Sequence, residues 1–543
     1  MRFLPDGAWM QRADADTIER IGIPSEVLME RAAIAVVDFM KGRCLDKGKS
    51  LVVCGSGNNG GDGFAVARLL EQMGPGHDVT VFFAGKEASM SRECRLQAKI
   101  AKNLGVKIVT EIPKGEYNII VDAVFGVGLS REVGGHYAEI VEWMNGCGAV
   151  KLAIDIPSGI DAGTGQVLGT AFRADHTVTF QCGKPGCVLF PGAEYAGEVH
   201  VANIGIDTSV FAGEEGVCFT LDAKDAACLL PTRPANSHKG TFGKVLMICG
   251  SRGMAGAAYL SARAAYTCGA GLVQIYTHES NRAILQQLLP EAIVSTYGDE
   301  MACAGNAACE NHVADAGNAS YERSLTDVWD VDREGGEDKL SSLLSWADVV
   351  CIGCGLGQDA MAGRLLEETL LRCEAPCVVD ADGLNLLSRR MGLLQETKAD
   401  VVLTPHMKEM SRLLGCPLPE LESRRFDKLR EFVGRYPVVC ALKDSRTVVA
   451  ANDRQMFVNT QGNNGMAKAG SGDVLAGVIA AFLVQTKSIF RGAVLGVLVH
   501  ACGGDGAREK CGGFGMLARD LIDGIQTFMR RAEMSKERKD EKI

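Results

Sequence analysis

From Ser50 onward, short apolar runs alternate with amphipathic stretches along the chain. Leu51-Val52-Val53 precedes a helix-compatible segment from Phe64 to Met73, and Val79 to Phe83 precedes another from Glu93 to Leu104. Apolar runs of this length bounded by turn residues read as buried strands, and the periodic segments between them as helices. Their alternation predicts a parallel sheet. Ile119 to Val121, a helix near Tyr137 to Met144, Val150 to Ile154 and Thr177 to Thr179 carry the series towards residue 215. Before it, Ser25 to Met40 reads as one helix, with Ser25 in the N-cap position after Pro24. A second series follows Pro231-Thr232-Arg233-Pro234, with strands expected at Lys244 to Cys249, Leu272 to Tyr276, Val349 to Ile352, Cys377 to Asp380 and Val401 to Thr404. The pattern predicts two α/β domains, residues 1–215 and 225–530. Residues 299–340, rich in Asp, Glu, Asn and Gly, break the second series and read as a solvated insertion. The stretch 531–543, nearly all charged or small, reads as a fraying tail.

At 543 residues the chain exceeds one ordinary core, in agreement with two domains. Its 65 glycines against 15 prolines favour many tight turns in an α/β framework. A formal net charge of -10 leaves no broad basic surface, which argues against nucleic-acid binding but not against small anionic ligands. No apolar run approaches the roughly 20 residues of a membrane helix, and the first residues lack the apolar core of a secretory signal. A reducing cytoplasm is the expected address, where 20 cysteines scattered through apolar stretches serve as small core residues. Cys351 and Cys354 have Cys-x-x-Cys spacing, yet no second pair or neighbouring histidine completes a zinc set, so a loop is expected there.

The turns between elements carry the chemistry. Gly55-Ser56-Gly57-Asn58-Asn59-Gly60-Gly61-Asp62-Gly63 lies between a strand and the next helix, where doubly wound sheets bind ligands. Its glycines allow close backbone approach to a phosphate, and the asparagines and Asp62 add oriented polar groups. Two further strand ends, Val121 to Arg131 and Asp155 to Asp161, can converge on the same pocket. Their oxygens suit a hard cation, potassium before any transition metal, because no His/Cys cluster accompanies them. In the second half, Gly250 to Ala257, Gly353-Cys354-Gly355-Leu356-Gly357, Asp380 to Asn385 and Thr404 to Glu409 cap successive strands. His406, in the last of these, is expected to face a ligand. Gly470-Ser471-Gly472-Asp473 then runs into a helix-compatible stretch from Val474 to Leu483. A glycine turn at a helix start aims bare amides and a positive dipole end at one spot, which suits a phosphoryl group. The Asp473 carboxylate beside it suits deprotonation of an attacking hydroxyl.

On these residues the first half, from about Arg12 to Ile206, resembles the YjeF N-terminal family, epimerases of hydrated NAD(P)H with a Rossmann-like three-layer αβα domain. The resemblance implies that Asn58, Asn59, Gly60, Gly61 and Asp62 bind the hydrated dinucleotide together with Gly126, Val127, Gly128, Leu129, Ser130, Arg131 and Glu132. It also implies that Asn59, Asp122 and Ser158 hold K+, and that Asp155 is the substrate-contacting acid/base that moves a proton during C6 epimerisation. Residues 225–530 resemble the ribokinase-like ADP- or ATP-dependent NAD(P)H-hydrate dehydratases. Carried over, Ala257, Gly355 or Gly357, His406 and Asp473 line the hydrate site. Lys443, Asp444, Ser445, Arg446, Thr447 and Gly472 bind the nucleotide, which arrives with Mg2+, and Asp473 is the base. The implied reaction phosphorylates the C6 hydroxyl of NADHX or NADPHX and then expels phosphate, with ADP the preferred donor. Small molecules are the implied partners, with no nucleic acid or membrane, in a homo-oligomer. The sequence departs from the family at Arg31, where Asn is usual, so that pocket wall is expected to differ. Cys354 replaces a proline, and Asp444 replaces a glycine and adds negative charge beside the expected phosphates. The alternative is a ribokinase-like vitamin or sugar kinase with a noncatalytic N-terminal module; Asn59, Asp122, Asp155 and Ser158 at their motif positions argue against it.

Overall fold

Leu51 to Cys54 is buried throughout, as a strand covered on both faces must be. In the computed structural model, which describes residues 1–298 and 339–540, it belongs to a sheet of seven parallel strands in the N-terminal unit, Met1–Thr220. After β1 (Arg2–Leu4), the sheet is built from β2 (Gly48–Cys54), β3 (His77–Phe83), β4 (Lys107–Val109), β5 (Ile119–Ala123), β6 (Val150–Ile154), β7 (His176–Phe180) and β8 (Glu198–Ala202). Their order is β4-β3-β2-β5-β6-β7-β8, and β9 (Cys218–Thr220) pairs antiparallel with β1. The chain works outward from β2 to β4 and then returns across β2 to β5. Alternate residues enter opposite cores: Val52 and Val121 one, Leu51 and Ile120 the other.

Two local expectations change here. Pro24, not Ser25, caps the helix Ser25–Gly42, since the Pro24 carbonyl accepts the first-turn amides of Val27 and Leu28. The Ser25 hydroxyl instead donates to Glu93 at 3.0 Å. The next helix begins at Asn58, inside the glycine run, and extends to Glu71. Glycine disfavours helix intrinsically, but close packing decides the matter. A Cβ on Gly60 would stand 2.0 Å from the Gly55 carbonyl oxygen, and one on Gly63 would stand 2.5 Å from Ala123 Cβ.

The C-terminal unit, Leu221–Ile543, repeats the plan. Its strands are β10 (Lys244–Ile248), β11 (Leu272–His278), β12 (Ile293–Tyr297), β13 (Val349–Ile352), β14 (Cys377–Val379), β15 (Val401–Leu403), β16 (Val438–Leu442), β17 (Val448–Ala450) and β18 (Phe457–Val458). They follow the order β12-β11-β10-β13-β14-β15-β16-β17-β18, parallel as far as β16 and antiparallel beyond. Here the reversal falls between β10 and β13. Val474 to Leu483 is buried on every side, which is why the helix Ser471–Thr486 lacks a polar face. The expected insertion at 299–340 lies outside the described residues except for its last two, which start the helix Lys339–Trp346. Of the expected fraying tail at 531–543, residues 531–540 continue the helix Ala518–Asp540, with Ala532 buried, and residues 541–543 lie outside the described residues. Among the described residues no helix is long and apolar enough to cross a membrane.

Candidate active sites

Each sheet has a switch point, where successive strands leave in opposite directions and the loops beyond their carboxyl ends part to form a crevice. In the N-terminal unit that crevice is a cavity of about 760 Å³. Asn58, Asn59, Asp62, Gly126, Val127, Gly128, Leu129, Ser130, Arg131 and Asp155 line it. Gly60 and Gly61 are buried in the first turn of their helix, outside the lining, and Glu132 is exposed. Asp155 follows β6 with φ +65°, a left-handed conformation that a non-glycine residue adopts only when its surroundings impose it. Its Oδ1 accepts from Lys184 Nζ at 2.5 Å, the Phe180 amide at 3.0 Å and Thr179 Oγ1 at 3.2 Å. Lys184 is fully buried, and it also donates to Thr179 Oγ1 at 2.9 Å and the Phe180 carbonyl at 2.8 Å. Burial pushes the Asp62 carboxyl well above its ordinary range, and the charges of Asp155 and Asp14 add to the shift. Asp14, on the same wall, is raised by burial, by Glu93 and by Asp155.

Behind this wall Asp122 is completely buried. Its carboxylate accepts the Ser158 hydroxyl at 2.7 Å and the Ser158 amide at 2.8 Å, while burial raises its pKa to about 6. The Ser158 hydroxyl oxygen in turn accepts the Phe125 amide at 2.8 Å. Asn59 Nδ2 is buried without a hydrogen-bond partner. A set of oxygen donors with an orphaned amide fits a hard monovalent cation: turning the Asn59 amide over places an oxygen where the nitrogen stands. Arg31 does not reach the pocket. It is absent from the lining, and its guanidinium lies against Gly205.

In the C-terminal unit, buried Asp380 follows β14. Its Oδ1 accepts Lys443 Nζ at 2.5 Å, from the end of β16, and Thr404 Oγ1 at 2.7 Å, from the end of β15. Gly470, with φ +90°, turns the chain into the helix Ser471–Thr486 and brings Asp473 to this point. A Cβ on Gly472 would lie 3.5 Å from Lys443 Nζ and 3.7 Å from Asp380 Oδ2. Burial, then the charge of Asp380, raises the Asp473 carboxyl to about 7. The Ser471 amide donates to the Lys468 carbonyl, whereas the Gly472 and Asp473 amides have no acceptor four residues back within the helix. His500 lies beneath, with Nε2 3.0 Å from the Ser471 carbonyl oxygen, and burial lowers its pKa to about 4. The neutral ring therefore donates to the turn.

Ala257 meets the glycine loop directly, since a Cβ on Gly355 would lie 2.8 Å from Ala257 Cβ. The Gly357 amide donates to Asp382 at 2.9 Å. His406 caps the helix Met407–Leu414: Nδ1 accepts the amides of Lys408 and Glu409, and the Glu409 carboxylate accepts the His406 amide in return. The side chain is half exposed, and its Nε2 lies 3.4 Å from Glu409 Oε1. Lys443, Asp444, Ser445, Arg446 and Thr447 span the turn from β16 to β17. The charge of Asp444 does not stand free beside this turn, because buried Arg425 donates to it at 2.7 Å. Sequence reasoning missed Lys184 and gave Asp380 no role. The usable signal was position, for Lys184 lies just beyond β7, the strand beside Asp155, and Asp380 closes β14.

Residues 245–527 match the family described as NAD(P)H-hydrate dehydratase, and residues 25–186 match the YjeF-related protein N-terminus. The chain is 34% identical to the bifunctional NAD(P)H-hydrate repair enzyme Nnr of Thermofilum pendens, over 95% of this chain and 94% of that protein. It is 33% identical to the Escherichia coli protein of the same name, over 97% and 94% of the two chains. Among solved structures, the ADP/ATP-dependent NAD(P)H-hydrate dehydratase of Bacillus subtilis, co-crystallised with ATP and Mg2+, is 26% identical, with a TM-score of 0.45, over 57% of this chain and 97% of that one.

Proposed function

This chain belongs to the bifunctional NAD(P)H-hydrate repair enzymes, and from that premise we propose how its two sites divide the work. Residues 1–215 interconvert the R and S hydrates of NADH and NADPH. Residues 225–530 dehydrate the S hydrate at the expense of ADP, or of ATP, giving NAD(P)H, phosphate and AMP or ADP.

C6 of the hydrate carries a hydroxyl beside the ring nitrogen, so inverting it requires breaking the C–O bond and remaking it from the other face. Asp155 serves as the acid that protonates the departing hydroxyl and as the base for the returning water. Lys184, Phe180 and Thr179 fix its Oδ1, which leaves Oδ2 for the substrate. The segments Asn58–Asp62 and Gly126–Glu132 hold the dinucleotide. Asn59, Asp122 and Ser158 would hold a potassium ion, which supplies fixed positive charge beside the anionic substrate.

In the second unit, Asp473 takes the C6 hydroxyl proton as that oxygen attacks the terminal phosphoryl group. The amides at Gly472 and Asp473, with Lys443, stabilise the transferring charge, and Mg2+ arrives as part of the nucleotide substrate. The ring nitrogen lone pair then expels phosphate and restores the nicotinamide. Ala257, Gly355, Gly357 and His406 form the hydrate wall; Asp444 to Thr447 form the nucleotide side. The observation that carries this reading is Asp473, a carboxylate raised to about 7 at a helix N-terminus beside Lys443 and Asp380. We place the protein in the cytoplasm, as a homo-oligomer.

The test mixes the protein with racemic NADHX, K+, Mg2+ and ADP or ATP and follows the return of NADH absorbance. Nearly complete, nucleotide-dependent recovery supports both activities, since a dehydratase alone stalls near half conversion. A stable phosphoester without recovery would favour a kinase.

A further inference from the structure

The switch point of the C-terminal sheet gathers three thiols that neither reaction uses. Cys249 stands just past β10, Cys351 lies in β13, and Cys354 follows three residues later. β10 and β13 run parallel with Met247 opposite Cys351. Side chains alternate along a strand, so Cys249, two residues beyond Met247, points to the same face as Cys351. The loop after β13 runs beside the continuation of β10: the Gly250 amide donates to the Cys354 carbonyl at 3.0 Å, and the Ser251 amide to the Gly355 carbonyl at 2.6 Å. These contacts bring Cys354 to the other two. The three Sγ atoms lie within 4.8 Å of one another, and all three residues are fully buried. A second group shares Cys354, whose Sγ and carboxylate oxygens of Asp380 and Asp473 also lie within 4.8 Å of one another.

Core cysteines commonly pack as small apolar groups. This cluster differs because its shared cysteine joins three sulfurs to two carboxylates at the reaction centre. Sulfurs at about 2.3 Å from a tetrahedral zinc stand about 3.8 Å apart, so the three thiols need to draw together by about 1 Å at most. We propose that Cys249, Cys351 and Cys354, with Asp473 as fourth ligand, form a site for a thiophilic divalent cation of the zinc class, and that its occupation holds dehydration off. Thiolates select such a cation over Mg2+, so the nucleotide's metal does not compete. Each thiol gives its proton to solvent on binding, with no change of oxidation state. Asp473, once coordinated, no longer accepts the hydroxyl proton. The inhibitory role rests on the base role of Asp473 proposed above; the metal site does not.

The full-length chain, reduced and metal-free, is titrated with Cd2+, whose bonds to thiolate give an ultraviolet charge-transfer band. Zn2+ is then added while epimerisation and dehydration are followed separately. The expected result is a band that Cys249→Ala and Cys351→Ala each lose, and X-ray absorption of the zinc-loaded wild type showing three sulfur neighbours and one oxygen. Stoichiometric Zn2+ lowers dehydration about a hundredfold, the scale of losing a general base. Chelation restores it, epimerisation does not change, and both variants stay active but insensitive to zinc. Where a variant fails to fold, the sulfur count on wild type decides. A band unchanged in both variants, or fewer than three sulfurs around zinc, overturns the site. A three-sulfur shell that leaves dehydration intact overturns the inhibitory role alone. A chain that shows the shell but never dehydrates, even without zinc, overturns the reading of Asp473 and not the site.

Discussion

Both units set a lysine against an aspartate at the carboxyl end of a parallel strand, but the lysines hold aspartates of different kinds. In the N-terminal unit Lys184 grips Asp155, the residue assigned to proton transfer, and fixes one of its oxygens. In the C-terminal unit Lys443 grips Asp380, and the carboxylate proposed as the base is the neighbouring Asp473, raised to about 7 by burial and by the Asp380 charge. Pairing with a cation fixes geometry, whereas burial beside a second carboxylate tunes proton affinity. Epimerisation must give and take a proton on two faces of one carbon, which puts a premium on position. Dehydration needs a base that is free near neutral pH.

The sharpest way to break the comparison is to remove each acid in turn. Asp473→Asn should lower dehydration by about a hundredfold to ten-thousandfold and leave epimerisation intact. Asp155→Asn should do the reverse, so that racemic hydrate stalls near half conversion while pure S hydrate is repaired at the wild-type rate. Chromatographic separation of the epimers and the NADH absorbance report the two rates; loss of both from one substitution would defeat the division of labour. A smaller effect concerns pH. Asp473 must be ionised to act, and its raised value keeps it protonated below about 7. The dehydration kcat/KM should therefore fall about tenfold per pH unit below that point. In Asp380→Asn the charge that helps to raise Asp473 is gone, and the limb should move to lower pH.

Lys184 tests the opposite arrangement. Lys184→Met leaves Asp155 buried without its cation, a change of the kind that costs about 3–5 kcal/mol. The N-terminal unit should melt earlier, and epimerisation should fall about tenfold to a hundredfold. Lys184→Arg should recover part of the rate. Equal loss in both variants, with an unaltered pH profile, would mark Lys184 as a packing residue.

What the sequence made legible, and what it did not, follows from local physics. Strands β2, β3, β10, β13 and β15 are apolar runs closed by glycine or polar turns, and in a parallel sheet those turns are where ligands bind. Asp155 and Asp473 stood out as acids at such places. The helix start at Asn58 stayed hidden because glycine opposes helix locally, and only the strand ends packed against it explain the exception. Lys184 sits between glycine and proline, a setting that reads as an exposed turn; its burial requires the β6–β7 pairing, with Ile154 opposite Val178. Cys249 is 102 residues from Cys351 in sequence, and only the crossover from β10 to β13 makes them neighbours.

The smallest expected effect concerns Asp444. Read along the chain, an acid beside the nucleotide phosphates should repel them, yet Arg425 donates to its carboxylate at 2.7 Å and supplies the opposing charge. Arg425→Met should therefore raise the nucleotide KM a few-fold, on the scale of a partly exposed ion pair of about 1 kcal/mol, with kcat little changed. Asp444→Gly leaves the cation in place and should hold or lower that KM. The double variant should return near wild type, because the charge removed on one side is matched on the other. A KM raised equally in Arg425→Met and in the double variant would mean that the arginine contacts the nucleotide itself, and the pair would then belong to the binding surface and not to its charge balance.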